Sequence, residues 1–175
     1  MFVLIYKIHI FFWAGYTMSM QEKLDIFISI TQKLHSSGIM PVLFGSLGVA
    51  VLINKDIPIH DIDILVPDVW VKDAWPALVA LMSDIGFKVH DISEHEFIKN
   101  NQQVAFAGTS VLGDVLLALQ DLLQWETNGQ HYYLPTARQF LAIYTYSRND
   151  GYRLEKRNDE EKIRLLTEYE EGRGE

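Results

Sequence analysis

The sequence predicts an α+β domain, close to the α/β class, in which a small mixed β-sheet is flanked by helices. Residues 21–37 carry apolar side chains at helical spacing. Short apolar runs at 39–44 and 61–66 are typical of buried strands, and residues 87–107 contain three further strand-like runs. Helical patterns dominate from about residue 110, which predicts a helical C-terminal part.

The remaining elements follow from the same periodicities. The strand-like runs lie at 87–92, 96–99 and 103–107, and a later one is "HYYLP" at 131–135. Asn100-Asn101 suits a tight hairpin turn, because asparagine tolerates positive φ. Further helices are predicted at 46–54, 71–85, 110–125, 135–146 and 159–171. The second of these could begin near Ala74, because Pro76 fits only the first turn of a helix.

The composition limits the class of protein. The chain has 175 residues, 49% apolar and 22% charged, which is enough for one globular domain with a real core. A net charge of −8 argues against a dominant electrostatic grip on nucleic acid, which needs a basic face. The absence of cysteine excludes disulfides and thiolate metal sites and is compatible with a cytoplasmic protein.

The N-terminal segment differs from the rest of the chain. Residues 2–16 are apolar and aromatic but too short for a comfortable membrane span, and they lack the features of a signal peptide. We therefore expect a start at Met18 or Met20, with a packed extra strand as the second interpretation and a membrane anchor well behind both. The predicted organisation is a doubtful extension at 1–17, a core at 18–109, and a helical C-terminal part of the same domain at 110–175.

The candidate metal-binding and phosphate-binding residues lie in two segments, "FGSLGVAVL" (44–52) and "IHDIDILV" (59–66). Residues two apart on a strand face the same way, so Asp61 and Asp63 project together, about 7 Å apart. Two carboxylates can hold Mg²⁺ or Mn²⁺, with substrate phosphates completing the coordination. Gly45-Ser46 precedes a helix, whose first N–H groups attract phosphate. The alternative is that Ser46 is a helix N-cap and the aspartates are surface or capping acids.

In order, these parts resemble the nucleotidyltransferase fold superfamily, in particular the small bacterial antibiotic-type nucleotidyltransferases. The segment 133–166, with Arg157, Asp159, Ile163 and Leu166, is also similar to the later part of that family. The resemblance implies a core of mixed sheet and helices. It implies that Gly45 and Ser46 hold the phosphates of a nucleoside triphosphate and that Asp61 and Asp63 hold two metal ions. The acceptor would be a hydroxyl of a small molecule or a protein, and pyrophosphate would be released.

The sequence departs from that family at two places. The family usually has a third acid on a later strand, and the corresponding run, "QVAFAG" (103–108), has none. Glu96 is the preferred substitute as the third catalytic acid, ahead of Asp91 and Asp114. The family lysine in the helix after the proline is also missing. A basic cluster could contact phosphates or an acceptor, or could be a solvated face, and Arg153 and Lys156 are its preferred contact residues. Its members are Arg148, Arg153, Lys156 and Arg157, with Lys162 and Arg164 nearby.

Three other functions stay open from the sequence alone. A degenerate member could bind nucleotide or a partner without catalysis, because the third acid is missing. A structural interaction protein would be favoured if no pocket lay beside Ser46. The pairs His60-Asp61 and His90-Asp91 raise a metal-dependent phosphohydrolase of the helical His-Asp type, but both pairs run into strand-like sequence.

Overall fold

A computed structural model describes residues 18–148 and 159–172, and it confirms the predicted α+β class. Within these ranges the helices are α1 (Met20–His35), α2 (Gly45–Ile53), α3 (Trp75–Asp84), α4 (Ala137–Arg148) and α5 (Asp159–Glu171). The strands are β1 (Val42–Leu43), β2 (Asp61–Val66), β3 (Lys88–Asp91), β4 (Glu96–Lys99), β5 (Gln102–Gly108), β6 (Leu123–Thr127) and β7 (Gln130–Leu134). Short 3-10 helices span Asp68–Val71, Thr109–Val115 and Leu119–Asp121.

The described strands form one mixed sheet of seven, in the order β3-β4-β5-β2-β1-β7-β6. The strand β2 is central: it runs antiparallel to β1 and parallel to β5. The strand β4 continues the sheet antiparallel to β5, with Glu96 opposite Ala105. The three segments that carry the predicted site residues, at the end of β1, on β2 and on β4, therefore belong to four adjacent strands, β4-β5-β2-β1.

Alternate residues of β2 face opposite sides of the sheet, and the two sides differ in how fully they are covered. Ile62, Ile64 and Val66 are buried in the larger core, which α1, α2 and α3 cover on one face of the sheet. Asp61, Asp63 and Leu65 alternate with them and therefore face the other way. Leu65 enters a smaller apolar cluster on that second face. The two aspartates continue the same face beyond this cluster, where the sheet is only partly covered.

Helix α1 closes the larger core and begins with a capping box. Ser19 accepts a hydrogen bond from the backbone N–H of Glu22, and the Glu22 carboxylate accepts one from the backbone N–H of Ser19. Phe27, Ile30 and Leu34 are fully buried against the sheet. Across residues 18–148 and 159–172, no helix combines the length and the apolar character that crossing a bilayer requires.

The predicted helix at 110–125 is wrong. Its leucines have helical spacing, but Leu116 adopts a left-handed conformation (φ 57°) that ends the preceding 3-10 helix. The chain then forms a second short 3-10 helix and enters β6 at Leu123. Leu112 and Leu122 pack into the smaller core, while Leu116 is 94% exposed. Tertiary packing of a few leucines therefore overrides the local helical pattern.

Two asparagine turns show how hairpins close this sheet. Asn100 (φ 49°) and Asn101 (φ 64°) join β4 to β5 and confirm the predicted hairpin. Asn128 (φ 51°) and Gly129 (φ 75°) join β6 to β7 in the same way. An Asn-Gly pair between extended runs is a strong hairpin signal. Here it joins β7 to β6, and the predicted helix at 110–125 had wrongly covered the start of β6.

Gly129→Ala is expected to lower the free energy of unfolding by about 1 kcal/mol, because an L-residue resists the left-handed conformation. No atom of the described residues lies within 4 Å of a Cβ placed at Gly129, so the backbone alone sets the cost. Gly113→Ala is the matched control, since Gly113 has an equally open Cβ position without a positive φ. Urea unfolding of both variants gives the comparison. Equal losses in the two variants would contradict the role assigned to the turn.

Candidate functional site

The pairing of β1 with β2 explains why the Gly-Ser segment meets the two aspartates. Val42 lies opposite Leu65 and Leu43 opposite Ile64, so the chain leaving β1 runs back toward the start of β2. The backbone N–H of Phe44 donates to the carbonyl of Asp63 at 3.0 Å and extends this pairing by one residue. Gly45 therefore lies next to Asp63, although the two residues are 18 positions apart in the sequence.

Gly45 has no room for a side chain. It is buried, it has φ 62°, and a Cβ built on it would lie 1.7 Å from Oδ2 of Asp63. The Asp63 carboxylate thus occupies the space that any other residue at position 45 would need. Glycine is required here both for its backbone conformation and for this close approach.

Helix α2 begins at this contact. Its N-cap is Phe44, which makes no side-chain capping bond, so the expectation that Ser46 could be the N-cap is wrong. Ser46 instead belongs to the first turn, directly after Gly45. The N–H groups of a first helical turn have no partner within the helix, and the helix dipole adds positive character there. The end of α2 beside Asp63 therefore suits an anionic group.

A cavity of about 690 Å³ opens at this point, within the size range of small-molecule sites. Asp61 and Asp63, both partly buried, form one wall together with Gly45 and Ser46. The cavity is lined by acidic side chains from several elements: Asp61, Asp63, Glu94, Glu96, Asp114 and Asp159. Its charge is therefore strongly negative.

The strand register places Glu96 in line with Asp63. Asp63 lies opposite Ala105 on β5, and Ala105 lies opposite Glu96 on β4, so the three residues form one row on the same face. Two strand spacings separate Glu96 from Asp63, about 10 Å between Cα atoms. The small methyl group of Ala105 between them leaves space above β5. The strand β5, in which the sequence has no acid at 103–108, thus presents an alanine opposite Asp63.

The two other candidate acids have different positions. Asp91 does not line the cavity, and its carboxylate accepts hydrogen bonds from the hydroxyl and N–H of Ser93 and from the N–H of Glu94. These bonds lower the pKa of Asp91, whose role is to cap the turn between β3 and β4. Asp114 lines the cavity from the 3-10 helix that follows β5. Glu94, which the sequence did not single out, reaches the cavity from the turn that Asp91 caps.

Another part of the lining comes from the end of α4 and the start of α5. Ser147 donates to Oδ2 of Asp159 at 3.3 Å, and Nζ of Lys162 lies 3.6 Å from Oδ1 of the same carboxylate. The Lys162 ammonium also lies 4.7 Å from the centre of the Tyr144 ring. All four residues line the cavity. Lys162 thus brings a positive charge to a cavity that six acidic residues also line.

The predicted basic cluster divides into three parts. Arg153, Lys156 and Arg157 lie outside the described residues. Arg164 pairs with Glu161 and Glu168 along the exposed side of α5, which agrees with the solvated-face interpretation for that residue. Lys162 belongs to the cavity wall instead.

A ready-made three-ligand metal centre is absent from the described ranges. No group of three or more histidine, aspartate or glutamate side chains in residues 18–148 and 159–172 has the geometry to hold one ion. Asp61 and Asp63 are two carboxylates on one face of β2, and both line the cavity beside the start of α2. Such a pair matches Mg²⁺, which is usually bound through one or two carboxylates plus substrate phosphates.

Comparison with solved structures identifies the fold. The solution structure of the antibiotic-resistance factor ANT(2'')-Ia aligns with a TM-score of 0.58 at 13% identity, covering 85% of this chain and 84% of that one. Its crystal structure in complex with adenylyl-2''-tobramycin aligns with a TM-score of 0.56 at 10% identity, covering 83% and 87%. An antigenic nucleotidyltransferase-like protein from Paracoccidioides brasiliensis gives 0.56 at 15% identity, covering 85% and 77%.

Comparison of sequences identifies the family. No protein-family model matches the chain. The Bacillus subtilis protein YnaI is 35% identical over 147 residues, an alignment that covers 80% of this chain and 92% of YnaI. The chain therefore belongs to the same family as YnaI and has the nucleotidyltransferase fold, as its Gly-Ser and Asp-x-Asp segments predicted.

Proposed function

We propose that this protein transfers a nucleoside monophosphate from a nucleoside triphosphate to a hydroxyl group of a small molecule or a protein, with Mg²⁺ or Mn²⁺ bound. The observation that carries the proposal is the contact of the Asp63 carboxylate with Gly45 at the start of α2. It joins a carboxylate pair for a divalent cation to backbone donors for a phosphate in one cavity. ANT(2'')-Ia, crystallised with adenylyl-2''-tobramycin, has the same fold.

Asp61 and Asp63 have the chemistry that the cation requires. Both are partly buried on one face of β2, and both line the cavity. When bound, Mg²⁺ would neutralise the phosphate charge and orient the triphosphate for in-line attack. The two carboxylates hold that position, and Gly45 fixes where Asp63 lies. Asp61 and Asp63 are the metal ligands in this proposal.

Gly45 and Ser46 bind the phosphates of the nucleotide in this proposal. The backbone at Gly45 can approach a ligand closely because it carries no Cβ. The first-turn N–H groups of α2 and the Ser46 hydroxyl then donate to phosphate oxygens. Lys162 also lines the cavity and supplies a further positive charge to the phosphates. Arg153 and Lys156 remain additional candidates for phosphate or acceptor contacts.

The acidic lining makes the cation a requirement. Six carboxylates surround the cavity, and a triphosphate is itself strongly anionic. Opposite charges must accompany the nucleotide, because like charges at close range in a partly buried site repel strongly. Lys162 alone cannot balance this set. We therefore expect no measurable nucleotide binding without a divalent cation.

Glu96 is the proton acceptor in this proposal. The acceptor hydroxyl loses its proton to the Glu96 carboxylate while its oxygen forms a bond to the α-phosphorus. The bond between the α-phosphorus and the bridging oxygen breaks, and pyrophosphate leaves with that electron pair. A carboxylate one strand beyond Ala105 has room for an acceptor between itself and Asp63, since no side chain larger than a methyl group intervenes.

A second candidate function is nucleotide or partner binding without catalysis. Ala105 favours it, because the residue directly opposite Asp63 on β5 carries no acid. A structural interaction protein has less support, because a cavity does lie beside Ser46. A phosphohydrolase of the helical His-Asp type also has less support. Neither His-Asp pair lies on a helix, since Asp61 begins β2 and His90-Asp91 belongs to β3.

Nucleoside triphosphates are expected to stabilise the protein only when Mg²⁺ is present. A ligand at a hundred times its dissociation constant adds about 2.7 kcal/mol to the free energy of unfolding. Thermal unfolding with each of the four nucleotides, with and without Mg²⁺, measures this. The double variant Asp61→Asn/Asp63→Asn should lose the shift, and Asp73→Asn, an exposed turn residue, should keep it. An equal shift in the double variant and the wild type would refute the assigned ligands.

Glu96→Gln is expected to keep the Mg²⁺-dependent stabilisation by nucleotide but to reduce pyrophosphate release by about a hundredfold or more, because a general base is lost. The assay uses labelled triphosphate with a cell lysate as the source of small-molecule and protein acceptors, and lysate without the enzyme gives the background. Glu126→Gln, an exposed residue on β6, is the control. Ala105→Asp in the Glu96→Gln background should restore part of the activity, because it places an acid opposite Asp63. Nucleotide binding by a wild type that releases no pyrophosphate would establish the binding-only function.

A further inference from the structure

A buried lysine lies behind the proposed metal ligands. Lys23 on α1 is only 4% exposed, although lysine is almost never fully buried without a partner. Its ammonium donates to the carbonyl of His60 at 3.1 Å and to Oε1 of Gln102 at 2.7 Å. His60 directly precedes the first residue of β2, and Gln102 is the first residue of β5.

Both acceptors are adjacent to Asp61. His60 directly precedes Asp61 in the chain, and Gln102 directly precedes Gln103, which lies opposite Asp61 in the β2–β5 register. The Gln102 amide in turn donates to the carbonyl of Gln103 at 2.6 Å. The Lys23 side chain thus connects the starts of β2 and β5, the two neighbouring strands between which Asp61 pairs with Gln103.

A buried ammonium group between the starts of β2 and β5 requires a physical explanation. Burying an ammonium is costly unless opposite charge and hydrogen bonds compensate it. Burial lowers the pKa of Lys23, and the negative charge of nearby Asp61 acts against that change. A neutral side chain would fill the same space at lower cost. The lysine therefore does more than fill the core: it places a cation and two directed bonds beside the first acid of the site.

We propose that Lys23 is a positioning residue for the proposed transfer reaction. It holds the ends of β2 and β5 together, so that the Asp61 carboxylate is kept in the orientation required to bind the cation. Its positive charge also reduces the repulsion that Asp61 experiences from the other acids of the cavity. This inference rests on the proposed function, because it assigns Lys23 a role in cation binding at that site. Supporting groups of this kind typically change metal affinity or activity by about 10–100-fold.

Lys23→Met removes the charge and both hydrogen bonds at nearly constant length. We expect the Mg²⁺ concentration needed for half-maximal stabilisation by nucleoside triphosphate to rise at least about tenfold. Lys23→Gln, which retains one donor group, is a second variant that tolerates folding better and should show a smaller rise. Lys33→Met is the control on the same helix, since Lys33 pairs with Asp84 at 2.8 Å outside the cavity lining.

Two readouts separate this inference from the function on which it rests. Amide hydrogen exchange without ligand should become faster at residues 60–63 in Lys23→Met but not in Lys33→Met. An unchanged or lowered Mg²⁺ half-point in folded Lys23 variants, with a responsive wild type, would overturn the role of Lys23 alone. A wild type that shows no Mg²⁺-dependent nucleotide response would overturn the proposed function, and the positioning role with it.

Discussion

The carboxylate of Asp63 lies against the backbone of Gly45, and the arrangement of the whole site depends on this contact. The antiparallel pairing of β1 and β2 brings the two residues together, and the left-handed conformation of Gly45 turns the chain into α2 at the same point. A helix N-terminus and an acidic strand thereby share one corner of the sheet. A larger residue at position 45 would push Asp63 away from the start of α2, and so would separate the proposed phosphate site from the proposed cation site.

Charge is the second constraint. The cavity collects acids from β2, β4, the turn before β4, the 3-10 helix after β5, and α5, and only Lys162 among its described lining residues is a lysine or arginine. Repulsion among these carboxylates is relieved in two ways in our account. A divalent cation with nucleotide enters from the open side, and Lys23 provides a fixed positive charge from the core side. The fold thus tolerates a group of acids that would otherwise destabilise this end of the sheet.

The parts of the site that lie close together in the sequence could be predicted from it. Gly45-Ser46 and Asp61-x-Asp63 form local patterns with a strand or helix period, and the register of β2 then fixes which side chains face the cavity. The Asn100-Asn101 turn could be predicted in the same way, because positive φ is a local requirement. Glu96 could be proposed from its position on a strand, and the sheet order placed it in a row with Asp63.

The rest depended on contacts across the fold. The leucines of 110–125 have helical spacing, yet only a few of them pack into the smaller core, and the Asn128-Gly129 turn leads the chain from β6 back into β7. Lys23 follows the buried positions of α1 at the spacing of Phe27 and Ile30, but its partners lie more than thirty residues away. Glu94 depends on an irregular turn. The neighbouring sequence does not predict the roles of Lys23 and Glu94, because these roles depend on residues that only the folded chain brings close.

The most direct test of the nucleotide and metal site is a measurement of Mn²⁺ binding. Bound Mn²⁺ is detected as a loss of the electron paramagnetic resonance signal of the free ion. We predict that a non-hydrolysable nucleoside triphosphate and Mn²⁺ strengthen each other's binding, and that Asp61→Asn/Asp63→Asn abolishes this coupling in a protein that remains folded. Mn²⁺ binding that is indifferent to the nucleotide, or coupling that survives in the double variant, would contradict the assignment of the Gly45–Asp63 corner as the nucleotide and metal site.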